Sequence, residues 1–285
     1  MAEARSLESG RINRLVALRH GRAGLWLDGG SDGEVLLPAR EAPEEIAPGA
    51  TLEVFVLRDS DGTWVATQKR PRAQVGEVAL LKVVDVSGPG AFLDWGLSKD
   101  LLLPHGEQRR RPEVGEEVLV MVFRDAEGRV AASQRLDDFL TDELDEDEQL
   151  APGQPLSLVV AHATDLGLKV VVNDRWWGLV YRDQVHRRIP RGTRVGGYLR
   201  RLREDGRLDV SLEPLGAARL DDIGERIYAR LVAAGGVLPF GDKSDPEAIK
   251  AEFQVSKSAF RQAIGGLYRQ RRIVLGPHEI RLPDA

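Results

Sequence analysis

Aromatic and arginine side chains that recur at matched positions are the residues of this chain best suited to chemistry, and the chemistry they suit is recognition rather than catalysis. Trp26 and Phe92 each stand two residues after a glycine, and Arg175-Trp176-Trp177 precedes Tyr181 and a loop holding Arg182, Arg187, Arg188, Arg191 and Arg194. Indole, phenyl and guanidinium planes stack on unpaired bases, and arginine neutralises phosphate. Catalytic constellations are missing. Histidines 20, 105, 162, 186 and 278 stand in unrelated positions with no nucleophile motif beside them, and neither the phosphate-loop nor the dinucleotide glycine pattern occurs. The chain has no cysteine, which excludes disulfides and thiolate zinc sites, and no metal or other cofactor is expected.

The elements that position these residues repeat three times. Gly49, Gly115 and Gly192 each precede an apolar run ending in a hairpin signal: Asp61-Gly62, Glu127-Gly128 and Asp205-Gly206 follow at 13, 13 and 14 residues. An acidic residue followed by Gly between alternating apolar runs marks a tight hairpin. Upstream, Gly24-Leu25-Trp26-Leu27-Asp28 matches Gly90-Ala91-Phe92-Leu93-Asp94 and, more loosely, Gly167-Leu168-Lys169-Val170-Val171. The alternation predicts five short strands per copy. It also places Trp26, Phe92 and Lys169 on the face opposite the apolar residues that flank them.

The expected organisation is a disordered leader at 1–10, modules at 11–73, 74–136 and 154–215, an acidic linker at 137–153 and a last domain at 216–285. Eight of the twelve residues from Asp137 to Glu148 are acidic, which predicts an extended, solvated connection. After Pro214 the apolar period changes to that of a helix, with Leu220, Ile223, Ile227 and Leu231 on one face. Ser244-Asp245-Pro246 and Ser256 read as starts of two further helices, and residues 272–282 as a hairpin. Three helices and a hairpin predict a winged helix. The fold class is therefore mainly β with a C-terminal α+β domain. Charge is uneven: residues 1–150 sum to −11 and residues 151–285 to +6, a hint of polyanion contact by the second half. No membrane span or signal-peptide core is visible, so a cytoplasmic protein, expected to be monomeric, is the default reading.

A five-stranded unit with a Gly-x-aromatic second strand resembles the oligonucleotide-binding (OB) fold domain named after small-subunit ribosomal protein one. Three such barrels followed by a winged helix are similar to the conserved virulence factor B family of bacterial RNA-binding proteins. GLWLDGGSDGEVLLP and VSKSAFRQAIGGLYRQRRI carry the resemblance best. It implies single-stranded RNA as partner and post-transcriptional regulation as role. Carried over by position, the strand-two contacts are Trp26, Phe92 and Lys169, and the family's third-strand histidine position holds Leu37, Leu103 and Tyr181. The hairpin acid and arginine occur together only as Asp125 and Arg129; the first module offers Asp59 but Thr63, the third Arg203 and Arg207. Arg175 and Trp177 make the third module the expected strongest binder. On the winged helix, Lys257, Arg261, Arg271 and Arg272 are the expected contacts. Two other readings stay open: a winged-helix transcriptional regulator reading duplex DNA, and an adaptor docking on proteins of the ribosome or RNA-decay machinery.

Overall fold

Alternating apolar residues become barrel strands in the computed structural model, which describes residues 6–43, 45–58, 62–144, 148–185 and 187–283. In the first module β1 (Arg11–Gly21), β2 (Gly24–Asp28), β3 (Glu34–Pro38), β4 (Thr51–Arg58) and β5 (Trp64–Thr67) close in the order β1-β2-β3-β5-β4. The second repeats that order with β6 (Val78–Ser87), β7 (Gly90–Asp94), β8 (Leu101–Pro104), β9 (Glu117–Arg124) and β10 (Val130–Ser133), β8 lying beside β10. The third closes with β11 (Pro155–Ala163), β12 (Gly167–Val172), β13 (Trp176–Tyr181), β14 (Arg194–Leu202) and β15 (Leu208–Ser211). These are OB-fold barrels. Each is filled by one face of its strands: Leu25, Leu27, Val35, Leu37, Val54 and Val56 in the first.

Two glycines per copy have a specific cause. Gly24, Gly90 and Gly167 open the second strand at φ 148°, 155° and 154°. A Cβ there would lie 2.0, 2.2 and 2.0 Å from the carbonyl oxygens of Leu37, Leu103 and Val180, so no larger residue fits. Gly49, Gly115 and Gly192 donate their N–H groups to the carbonyls of Ala17, Val83 and Val160 at 2.8, 2.8 and 2.7 Å. Those carbonyls sit where β1, β6 and β11 carry a bulge, which bends the first strand so that it serves both sides of the barrel.

The modules pack on one another. Phe55 points out of the first barrel and meets Trp95 of the second edge-on at 5.5 Å. Val78, Leu119 and Met121 of the second barrel share a buried cluster with Val159, Ala161, Val171 and Trp177 of the third. Arg194 crosses this second seam, donating to both carboxylate oxygens of Asp174 at 2.8 and 2.9 Å and to the Val78 carbonyl at 2.9 Å. Asp174 in turn accepts the Val78 N–H at 2.8 Å.

Two expectations are corrected by this packing. Residues 6–10 are not a disordered leader: Leu7 is buried in the first core, its N–H donates to Asp32 at 2.8 Å, and the Gly10 carbonyl accepts from Val75; residues 1–5 lie outside the described residues. The acidic connection is not simply extended and solvated either. Leu136 and Leu140 are buried between the second and third barrels, and Leu144 and Leu150 pack against the third. The leucines interspersed in the acidic run supply apolar burial, while Arg109, Arg135 and Arg175 pair with Asp137, Asp138 and Glu148, offsetting the self-repulsion. Residues 145–147 lie outside the described ones.

The last domain holds α1 (Gly216–Ala233), β16 (Val237–Leu238), α2 (Pro246–Phe253), α3 (Lys257–Arg269), β17 (Val274–Leu275) and β18 (Ile280–Arg281), its small sheet ordered β16-β18-β17. Asp245 caps α2 by accepting from Glu247 and Ala248, and Ser256 caps α3 by accepting from Ala259. Ile223, Ile227 and Leu231 of α1 pack with Phe260, Ile264 and Leu267 of α3 and with Ile280 of the wing. This is a winged helix.

Candidate nucleic-acid interface

Strand alternation puts one outward position of β2, β7 and β12 at the centre of a three-residue row. In the first module Leu25 and Leu27 are buried and Trp26 lies half-buried on the outer face, between Arg19 of β1 and Leu36 of β3. The Arg19 guanidinium stands 5.1 Å from the Trp26 ring centre and pairs with Glu34 at 2.6 Å. Elsewhere in the same barrel Arg58 covers Trp64, which packs against the first core, at 4.5 Å. The equivalent rows are Asp85, Phe92, Leu102 in the second module and His162, Lys169, Leu179 in the third. Phe92 is again half-buried and outward. The first row therefore combines a half-buried ring with one cation, the second sets its ring beside an acid, and the third has no ring.

The third module departs from the sequence expectation. Trp176 is 3% exposed inside the barrel, and Trp177, although on the opposite face, is only 6% exposed because that face meets the second module. Alternation told which side of the sheet Trp177 takes, and the neighbouring barrel covers that side. Its indole N–H donates to Asp137 at 3.0 Å and Lys169 lies 4.1 Å over its ring. Trp177 is thus a seam residue rather than an open stacking platform. Arg175 pairs with Glu148 and lies over the Trp176 ring. Arg203 is held by Asp209 at 2.7 Å and donates to the Tyr181 hydroxyl at 2.7 Å, while Arg207 reaches Asp205 at 3.8 Å.

Strand register also corrects one equivalence. Tyr181 pairs with Gly167, and the residues that pair with Gly24 and Gly90 are Pro38 and Pro104. Tyr181 therefore corresponds to those prolines, and Leu37 and Leu103 are core residues with 0% exposure. The one-residue offset arises because a sequence alignment of short apolar strands does not fix their phase.

Asp125 and Arg129 close the second hairpin on itself. Arg129 Nε donates to Asp125 Oδ2 and its backbone N–H to Oδ1, both at 2.8 Å. Desolvation would raise the Asp125 carboxyl, but the Arg129 hydrogen bonds outweigh it and hold the group below the ordinary aspartate range. The corresponding Asp59 lies outside the described residues. In the winged helix Arg261 pairs with Asp242, and Arg272 pairs with Glu225 while covering Tyr228 at 4.1 Å. Lys257 and Arg271 make no ion pair among the described residues, and Arg271 ends α3 at φ 58°.

Sequence reasoning missed Arg19 as the neighbour of Trp26. Arg19 lies only seven residues before Trp26, but the bulge between Ala17 and Arg19 is what turns it toward the ring. Among the described residues no helix is long and apolar enough to cross a membrane.

Barrels of this topology with outward aromatic rows, joined to a winged helix, define a multidomain protein built from nucleic-acid-binding domain types. The S1 domain family matches residues 9–69 and 75–135, and the CvfB-like winged helix domain family matches residues 225–282. Conserved virulence factor B of Staphylococcus saprophyticus is 30% identical over 253 residues, covering 84% of this chain and 82% of its own length. The chain belongs to the conserved virulence factor B family. The uncharacterized protein YitL of Bacillus subtilis is 28% identical over 256 residues, 88% of this chain and 85% of its own. A crystal structure of a multidomain protein with nucleic acid binding domains from Streptococcus pneumoniae covers 96% of this chain and 98% of its own, with 20% identity and a TM-score of 0.38.

Proposed function

We propose that this protein is a non-enzymatic, monomeric, cytoplasmic RNA-binding protein whose barrels hold single-stranded RNA, and that it acts in post-transcriptional regulation of gene expression. The observation that carries the reading is the half-buried, outward placement of Trp26 and Phe92 at the same register of two successive barrels. An outward ring on a barrel strand offers a π-face to any unpaired base, and Arg19 beside Trp26 supplies charge for the backbone when it exchanges Glu34 for a phosphate. Preference for RNA over a DNA strand rests on the family resemblance.

Duplex DNA fits less well. Two of the four cations expected on the winged helix, Arg261 and Arg272, are occupied by Asp242 and Glu225. Fluorescence anisotropy with a single-stranded oligoribonucleotide and a DNA duplex of matched sequence tests the reading. Tighter binding of the single strand, weakening as salt rises, is expected. Preference for the duplex would point to the transcriptional-regulator reading instead.

A further inference from the structure

Where the second and third barrels meet, a solvent-open cleft of about 360 Å³ lies over Trp177, walled by Arg109 and Arg110 on one side and His162, Lys169 and Arg191 on the other. Its size is near the lower end of small-ligand sites, roughly 300–1,000 Å³. Four permanent cations line it against the single carboxylate of Asp137, which already accepts from Trp177 and pairs with Arg109. Arg110 is held by both oxygens of Glu116 at 2.7 and 3.0 Å. Lys169 and Arg191 form no salt bridge among the described residues, although the Glu116 carboxylate lies within electrostatic reach of Arg191. Four cations set against Asp137 and the neighbouring Glu116 leave the cleft a positive potential whose natural complement is an anion. The cleft also lies on the His162–Lys169 row, the structural equivalent of the rows holding Trp26 and Phe92.

We propose that this cleft seats a phosphate group of the bound strand between Lys169 and Arg191, with Arg109 reaching it from the second module, so that two modules grip one nucleotide across their seam. The proposal rests on the RNA-binding reading above and adds where the strand crosses between barrels. Arg109-Arg110-Arg111 is its trace in the sequence, a basic run inside the acidic half.

His162 makes the site sensitive to pH. Burial, then the charges of Lys169, Arg191 and Arg109, lower its imidazole below the ordinary histidine value, while Asp137 opposes them. A bound phosphate offsets those cations and lets His162 take up a proton. The complex then holds more protons than its parts, so affinity rises as pH falls just below the ordinary histidine range.

Anisotropy titrations of 5′-hydroxyl and 5′-phosphorylated oligoribonucleotides of one sequence test this, using wild type, Arg191→Ala, Lys169→Ala, the double variant and, as a control, Arg230→Ala at an exposed α1 position paired with Glu252. The double variant should bind about tenfold or more weakly, the size of a charge-assisted hydrogen bond. Its log affinity against log salt should flatten by roughly 0.7 for each phosphate that the variant leaves unneutralised. Arg230→Ala should change neither. Equal weakening for both oligonucleotides assigns an internal phosphodiester, and greater weakening for the phosphorylated one a terminal monoester. Because Lys169 covers Trp177, thermal unfolding is measured alongside, and Arg191→Glu carries the test should Lys169→Ala unfold. Unchanged affinity and salt slope in folded variants overturn the proposal. A wild type that binds neither oligonucleotide removes the RNA-binding reading itself, and the proposal with it.

Discussion

The indole N–H of Trp177 donates to Asp137 Oδ1 at 3.0 Å and so fastens the third barrel to the segment leaving the second. Trp177 is 6% exposed in a cluster drawn from both barrels, so its removal should act on stability first. Trp177→Ala should cost about 3–5 kcal/mol in urea unfolding, as for other large-to-small core changes. Trp177→Phe, which keeps most of the apolar packing and removes the hydrogen bond, should cost nearer 1 kcal/mol. A stable Trp177→Ala protein would show that the seam does not depend on this ring.

Gly90 tests the barrel geometry. A Cβ at this residue meets the Leu103 carbonyl oxygen at 2.2 Å with φ at 155°, whereas Gly88, two residues earlier, has open space around it. Gly90→Ala should destabilise by several kcal/mol, combining backbone strain with an overpacked strand pair at about 1–3 kcal/mol each. Gly88→Ala should be nearly neutral. Thermal unfolding of the two variants side by side separates steric exclusion from a general dislike of substitution in this loop.

Arg194 tests the second seam. Its removal leaves the Asp174 carboxylate and the Val78 carbonyl without their shared donor. Arg194→Ala should weaken the seam by about 1–3 kcal/mol. Faster hydrogen exchange at the Val78 amide, which donates to Asp174 at 2.8 Å, is the local signal. Protection equal to wild type would argue against the clamp.

The hairpin clasp should respond to acid. The folded-state value of Asp125 is depressed by Arg129, so its contribution is present above the unfolded aspartate value and is lost as pH falls through the folded one. The Arg129 backbone amide, bonded to Asp125 Oδ1 at 2.8 Å, should shift in NMR spectra over that acidic window. The same shift should be absent in Asp125→Asn.

Legibility in the sequence followed how local the cause was. Hairpin glycines Gly62, Gly128 and Gly206, the close-approach glycines that open each second strand, and the caps Asp245 and Ser256 all act within a few residues of themselves, and their signals were plain. Alternation put Leu25 and Leu27 inside and Trp26 outside for the same reason. It could not tell that the outward side of Trp177 faces another barrel, nor that Leu7, Leu136 and Leu140 find apolar partners far along the chain. Composition misled for that reason: an acidic run looks solvated until its leucines find a groove. Cation pairing was equally hidden, since the partners of Arg261, Arg272 and Arg194 lie 19, 47 and 20 residues away.

The proposed stacking of unpaired bases on Trp26 and Phe92 is measured directly by titrating a single-stranded oligoribonucleotide against Trp26→Ala, Phe92→Ala and wild type. Each substitution should weaken binding by about 1–3 kcal/mol, as expected when a base stack is removed, with the melting temperature close to wild type because both rings lie on the outer barrel face. Affinity unchanged in both folded variants would contradict it.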